Sequence, residues 1–319
     1  MRHLIIDTDT ASDDAIALIM ALREPQAIVE AITIVSGNVP LAQASRNARY
    51  VVELCGADVP VYEGSDRPLV KPRAHAMHFH GEDGLGDVGY PPPQRPAMDG
   101  YAALEIIRRC QATPGEIELV TLGPLSNVAL ALRLEPRLAD WVKRCTIMGG
   151  AAATLGNVTP AAEFNLWCDP EAARIVLHSG MPVTLVGWEL SRGEACFTAA
   201  ELDRLRALDT ELARFAVDCN RRAFLAATQI QAEAGLSLPD PVAMAIALDP
   251  DTCTKAVTCG VEMVLDGPAR GATLVDILGL AGRGESTGDP AWAAPVPVSE
   301  VCRTLDVARF KARVCAALS

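Results

Sequence analysis

The stretch that decides the fold is LIIDTDTASDDAIALIMALREP, residues 4–25. Leu4, Ile5 and Ile6 form a short apolar run, after which Ile16, Ile19, Met20 and Leu22 recur at helical spacing until Pro25. The segment therefore reads as a buried strand, a tight loop and a helix capped by Ser12 or Asp13. Four aspartates, Asp7, Asp9, Asp13 and Asp14, fall within eight positions. Asp7 and Asp9 are two apart on an extended chain and are expected on one side of it, while Asp13 and Asp14 belong to the first helical turn. A helix N-terminus stabilises an anion by about 0.3–1 kcal/mol, enough for one or two carboxylates and not for four. Protonation or a bound cation must supply the rest, and clustered hard oxygen ligands suit Ca²⁺ or Mg²⁺. The cation is the favoured reading.

The rest of the chain fits such a site into an α/β protein. With 319 residues, half of them apolar, it can bury a large core, and residues 1–319 are expected to form a single domain. The net charge of −12, with no basic run, argues against nucleic acid or an anionic membrane as partner and for a small-molecule substrate. Ten scattered cysteines without a CxxC pair read as reduced thiols of a cytoplasmic protein, not a disulfide frame or zinc site. The chain enters a strand at once and has no apolar run of membrane-spanning length, so it is expected to be neither secreted nor membrane-embedded.

Apolar runs VEAITIV (29–35), EIELVTL (116–122), RCTIMGG (144–150), PVTLVGW (182–188) and VEMVL (261–265) read as strands. Helical patterns at 40–55, 101–112, 126–134, 170–179, 199–209 and 210–233 are interleaved with them. The alternation predicts an open, mostly parallel sheet with helices on both faces. Ligands of such sheets sit beyond the carboxyl ends of the strands, where DTDTASDD, SGNV, LGPLSN, MGGA and GWELSR should converge. Residues 281–297, AGRGESTGDPAWAAPVP, read as an exposed loop.

Several loops carry chemistry. Gly37 lets the backbone approach closely beside Asn38, whose amide suits a sugar hydroxyl. In LGPLSN, Pro124 in a first helical turn would leave the Leu122 carbonyl free for a hard cation. Asp169 and Pro170 make a strong helix start, with Gly180 at the exit. Just before it, Glu163 and Asn165 alternate with Phe164 and Leu166, so both would leave one face of an extended segment and could hold adjacent hydroxyls. Asp240, between Pro239 and Pro241, opens an apolar helix, where a buried carboxylate would make a fixed ligand. The HAMHFHGEDGLGD stretch (75–87), with His75, His78 and His80, spaces its histidines too loosely for zinc and reads as a mobile loop over the crevice.

Side by side, IIDTDTASDD, SGNV, HGEDGLGD, LGPLSN, IMGGAAATLGNVTPAAEFNLWCDPEAARIV and DPVAMAIAL resemble the nucleoside hydrolase family, the calcium-dependent inosine-uridine-preferring N-ribohydrolases. The resemblance implies a Rossmann-like sheet, a homodimer or homotetramer, and hydrolysis of ribonucleosides to base and ribose. By position it implies that Asp9, Asp14, the Leu122 carbonyl and Asp240 hold Ca²⁺, with Asp7 supporting. Asp13, Asn38, Met148 through its backbone, Asn157, Glu163 and Asn165 would hold the ribose, and Asp9, with Asn38 beside it, would carry the catalysis. Many relatives have a histidine just before the last metal aspartate, suited to protonating the leaving base; here it is Pro239. The leaving-group side then falls to His80, Trp188, Arg192, Arg221 or Arg222, and the preferred base stays open. Two other readings compete. A haloacid-dehalogenase-like phosphatase also places DxD after a strand, but Ala11 stands where it needs a hydroxyl residue. A non-catalytic nucleoside- or ribose-binding protein could keep the clamp without the chemistry.

Overall fold

Strand β1 (Arg2–Thr8) is buried on both sides because its apolar residues serve two cores: Leu4 and Ile6 face one, Ile5 the other. The same division runs through the strands beside it. The computed structural model describes residues 1–152, 154–282 and 294–319. Its other strands are β2 (Ala27–Ile34), β3 (Val61–Glu63), β4 (Ile117–Thr121), β5 (Arg144–Met148), β6 (Val183–Val186), β7 (Cys253–Met263), β8 (Thr273–Asp276) and β9 (Val298–Leu305). They form one sheet in the order β3-β2-β1-β4-β5-β6-β9-β7-β8. The pairs from β3 to β9 are parallel, and β7 runs antiparallel to β9 and β8.

Helices Ser12–Leu22, Leu41–Leu54, Pro239–Leu248 and Val307–Leu318 pack on the Leu4 face; Ala102–Ala112, Ser126–Leu134 and Pro170–Leu177 cover the other. The expected mostly parallel sheet with helices on both faces is thus the observed one. Departures follow from local chemistry. The strand expected at 261–265 begins at Cys253, because its exposed first half carries no apolar run. Strands β3, β8 and β9 and the C-terminal helix were not anticipated; β9, VSEVCRTL, mixes polar residues with apolar ones and its place in the sheet is set by neighbours far off in sequence. The helix expected over 210–233 is two, Glu211–Cys219 and Arg221–Gln229. They meet at Asn220, whose side chain donates to the carbonyls of Ala216 and Ser12 at 2.9 and 3.0 Å. Of the loop expected at 281–297, residues 283–293 lie outside the described residues.

Two helix starts differ from expectation. The first helix is capped at Ala11, not at Ser12 or Asp13, because the Asp14 carboxylate folds back to accept the Ala11 N–H at 2.9 Å. Pro124 precedes its helix, which begins at Ser126.

The C-terminal helix closes the core through Phe310, fully buried and edge-on to Phe197 with ring centroids 5.9 Å apart. Phe310→Ala should lower the unfolding free energy by about 3–5 kcal/mol, read as a fall in the urea midpoint. An unchanged midpoint would show that this helix is not part of the cooperative core.

Candidate active site

The chain leaves β1 in two directions, through β2 to β3 on one side and through β4 to β6 on the other, and such a reversal opens a crevice at the strands' carboxyl ends. Loops after β1, β2 and β4 meet there around Asp9. The Asn38 N–H donates to Asp9 Oδ2 at 2.5 Å. The approach is so close that a Cβ at Gly37 would stand 2.1 Å from Asp9 Oδ2, and one at Gly123 2.7 Å from Oδ1. Both glycines are therefore required by what they face, not by unusual backbone angles.

Asp13, Asp14 and Asp240 each bring a carboxylate oxygen within 4.8 Å of the others. Asp9 lies alongside, its charge felt by Asp240 and its own ionisation opposed by Asp14 and Asp13. All four are buried, Asp13 the least at 6 % exposure. Loss of hydration, then mutual repulsion, pushes Asp9 and Asp240 well above the ordinary carboxylate range. Burial raises Asp13 and Asp14 to about 6. Asp14 is held by Thr8 Oγ1 at 2.5 Å and by the Ala11 N–H. Yet Asp9 Oδ1 and Asp13 Oδ1 are buried with no hydrogen-bond partner among the described residues. Buried polar atoms are nearly always satisfied, so two orphaned oxygens beside a carboxylate trio fit a hard cation.

Asp7 Oδ1 accepts from Thr33 Oγ1 at 2.6 Å and Asn127 Nδ2 at 2.8 Å, and its Oδ2 is buried with no hydrogen-bond partner among the described residues. Burial lifts Asp7 to about 7. The side chain of Asn38 points to Asp14 Oδ2, 3.4 Å away.

A cavity of about 250 Å³ is lined by Asp13, Asn38, Leu122, Met148 and Asp240. Asn157, Glu163 and Asn165 line it as well. Glu163 and Asn165 are not an extended pair. Glu163 caps the short helix Phe164–Cys168, accepting from the N–H groups of Asn165 and Leu166, and from Gly150 at 2.8 Å. Burial raises it to about 7. Asn165 Nδ2 donates to the Leu122 carbonyl at 2.8 Å and the Met148 carbonyl at 3.3 Å, tying the ends of β4 and β5 together. The Leu122 carbonyl is thus not free as expected, though a carbonyl has a second lone pair. Asn157 accepts the Phe164 N–H at 2.9 Å.

Of the leaving-side candidates, His80 and Trp188 line the cavity. His80 Nδ1 meets Ser12 Oγ at 2.9 Å. Burial pulls its pKa down to about 4, so its 3.8 Å approach to Asp13 joins a neutral imidazole, not an imidazolium, to the carboxyl. Trp188 Nε1 donates to Leu155 O at 2.8 Å, and its ring carries the Arg192 guanidinium 4.4 Å from the centroid. Arg192 itself pairs with Glu233, Arg221 with the Gly86 and Asp87 carbonyls, and Arg222 with the Asp87 carboxylate. None of the three arginines lines the cavity. Pro239 and Asp240 occupy the first turn of their helix, with Leu238 as its cap. Ser237 and Gln231 also line the cavity. Sequence reasoning missed both, since neither belongs to a periodic face nor to a charged cluster.

Residues 4–312 match the family model for inosine-uridine preferring nucleoside hydrolases. An inosine-uridine preferring nucleoside hydrolase of Leishmania major is 38% identical over 279 residues, covering 86% of this chain and 88% of that one. The pyrimidine-specific ribonucleoside hydrolase RihB of Escherichia coli is 36% identical over 291 residues, covering 90% and 91%. Among solved structures, the plant nucleoside hydrolase PpNRh1 superposes with a TM-score of 0.92 at 32% identity, over 99% of this chain and 98% of that one. The chain belongs to the inosine-uridine preferring nucleoside hydrolase family and is accordingly a hydrolase acting on nucleosides.

Proposed function

We propose that the protein hydrolyses the N-glycosidic bond of ribonucleosides in a calcium-dependent reaction, releasing free base and ribose. The observation that carries this is the buried carboxylate trio with orphaned oxygens, two of whose members, Asp13 and Asp240, line one cavity with Glu163, Asn165 and Asn157. Asp9, Asp14, Asp240 and the second lone pair of the Leu122 carbonyl would hold the ion. Asp7 acts behind them by fixing Asn127 and Thr33. Bound there, Ca²⁺ would supply positive charge that lowers the pKa of the attacking water and orients it.

The remaining work falls to side chains. Asp9, pinned by the Asn38 N–H, takes the proton of the attacking water. Asp13, Asn38, Asn157, Glu163, Asn165 and the Met148 backbone hold the ribose, and the acids among them favour the oxocarbenium character that develops as the bond breaks. With proline at position 239, His80 and His78, the two histidines that line the cavity together with Trp188, are the titratable groups left to assist the departing base. Arg222, engaged by Asp87 at the surface, is given no part. A phosphatase reading loses its support, because the converging acids come from both the first and the last motif of the hydrolase pattern. The single sheet running from β1 to β9 supports one domain, and ten free cysteines support a cytoplasmic setting. No described helix is long and apolar enough to cross a membrane. Assembly as a homodimer or homotetramer rests on the family alone.

Reducing-sugar release from a panel of nucleosides, with and without chelator, tests the proposal. Rigorous metal removal should abolish turnover and Ca²⁺ should restore it; undiminished turnover would defeat the calcium reading. Asp9→Asn should lower kcat by about 10²–10⁴ while nucleoside binding persists. Binding without any turnover in the unaltered protein would favour the binding-protein alternative. Gly37→Ala, whose new Cβ collides with Asp9, should weaken Ca²⁺ at least about tenfold, since displacing one ligand costs a substantial part of an interaction of 1–3 kcal/mol. Calcium affinity like that of the unaltered protein would mean that Asp9 is not held where the loop puts it.

A further inference from the structure

The loop that leaves β5 divides into a tip that holds itself and a neck that is held from outside. In the tip, the Gly156 N–H donates to the Pro160 carbonyl and the Asn157 N–H to that of Ala162, both at 3.1 Å. Thr159 Oγ1 accepts the Ala162 N–H at 3.0 Å, and Asn157 Oδ1 the Phe164 N–H at 2.9 Å. The turn is so tight that a Cβ at Gly156 would stand 2.2 Å from the Ala162 carbonyl oxygen. Residues 156–164 therefore form one braced body, and the place of Asn157 in the cavity lining depends on how that body is seated.

The neck is fixed by side chains that follow β6. Trp188 Nε1 donates to the Leu155 carbonyl at 2.8 Å, Glu189 accepts the Ala152 N–H at 3.2 Å, and Arg192 Nη1 donates to Thr154 Oγ1 at 3.4 Å. Leu155 is itself 71 % exposed, so burial of its side chain does little to hold the neck down. Seating then rests on the polar contacts.

Arg192 joins three segments at once. Its guanidinium lies 4.4 Å from the Trp188 ring centroid, its Nε donates to Glu233 Oε1 at 2.5 Å, and its Nη1 meets Thr154. The Glu233 side chain is only 6 % exposed, against 33 % for Arg192. A planar fork can lie flat on an indole while its edge donates in two directions; an ammonium can pair with the carboxylate but cannot do all three. The same arginine thus backs the ring whose N–H holds Leu155 and holds the hydroxyl of the residue before it. Arg192 does not line the cavity, so what it does for a substrate it does through the loop.

We propose that Arg192 is a positioning residue: by clamping Trp188 and Thr154 it seats the loop that brings Asn157 to the ribose. This deepens the hydrolase reading and rests on its assignment of Asn157 to the sugar. Arg192 exchanges no proton and touches no substrate; its contribution is to sugar affinity.

Steady-state kinetics on the common ribonucleosides, with free ribose as competitive inhibitor and calcium present, tests the assignment. Arg192→Lys keeps a cation for Glu233, so its thermal midpoint should match that of the unaltered protein. Its KM on the accepted nucleoside and its ribose inhibition constant should both rise about three- to tenfold, with kcat changed less than about twofold. In an Asn157→Ala background the same substitution should alter either constant less than about twofold, because the side chain it positions is gone. A merely structural role would not produce that non-additivity. Arg192→Ala, which leaves the Glu233 carboxylate without its partner, should show the same pattern with a lowered midpoint. Equal rises with and without Asn157, or a ribose constant that does not move, would overturn the role of Arg192 while leaving the hydrolase reading intact. An unaltered protein that releases ribose from none of the nucleosides would overturn both.

Discussion

Four carboxylates buried at the end of one sheet are the constraint on which the rest of this structure depends. Each would be costly to ionise alone, and together they repel. The fold offsets part of that cost with dipoles, since the helices Ser12–Leu22 and Pro239–Leu248 both bring their N-terminal turns to the cluster. Local hydrogen bonds to Thr8, Ala11 and Asn38 offset more. The orphaned oxygens of Asp9 and Asp13 mark what these devices leave unanswered. Much of the surrounding architecture exists to make the crowding possible, from the two glycines that flank Asp9 to the apolar helix that carries Asp240.

Part of the cavity lining is polar and tightly cross-braced: Glu163 is fixed by three backbone N–H groups and Asn165 by two strand ends. Such bracing suits a ribose, whose hydroxyls do not change between substrates. Apart from the acids and the residues assigned to the ribose, the polar side chains of the lining are His78, His80, Ser237 and Gln231. Their arrangement can therefore alter leaving-group preference without disturbing the sugar or the acids, in keeping with the different base preferences in the names of the relatives found.

Much of this was legible before any coordinates, because it is local. The strand-loop-helix of residues 4–25 announces itself through two periodicities, and Asp240 through the prolines on either side. What could not be read is contact between distant segments. Nothing around Asp7 says that its carboxylate accepts from Thr33 and Asn127, and nothing around Gln231 says that it lines the same cavity as Asn38. The residue types of Glu163 and Asn165 were the right ones to single out, but not their geometry: alternation suggested a strand where Glu163 instead caps a helix turn. The mixed end of the sheet was hidden for a related reason, since β9 lacks an apolar run and is held by pairing.

The central claim is that the acid cluster needs a cation, and thermal unfolding of the chelated protein at pH 5 and pH 7.5, with and without Ca²⁺, tests it most directly. Asp13 and Asp14 have folded-state values raised to about 6, against about 3.9 in an unfolded chain. Between those values the native state binds more protons, so the cluster's contribution to stability falls as pH rises. Without calcium the cluster should weaken the protein more at pH 7.5 than at pH 5. Calcium at a hundred times its dissociation constant should raise the midpoint at pH 7.5 by about 4 °C or more, and by less at pH 5. Identical midpoints with and without calcium at both pH values would contradict the account.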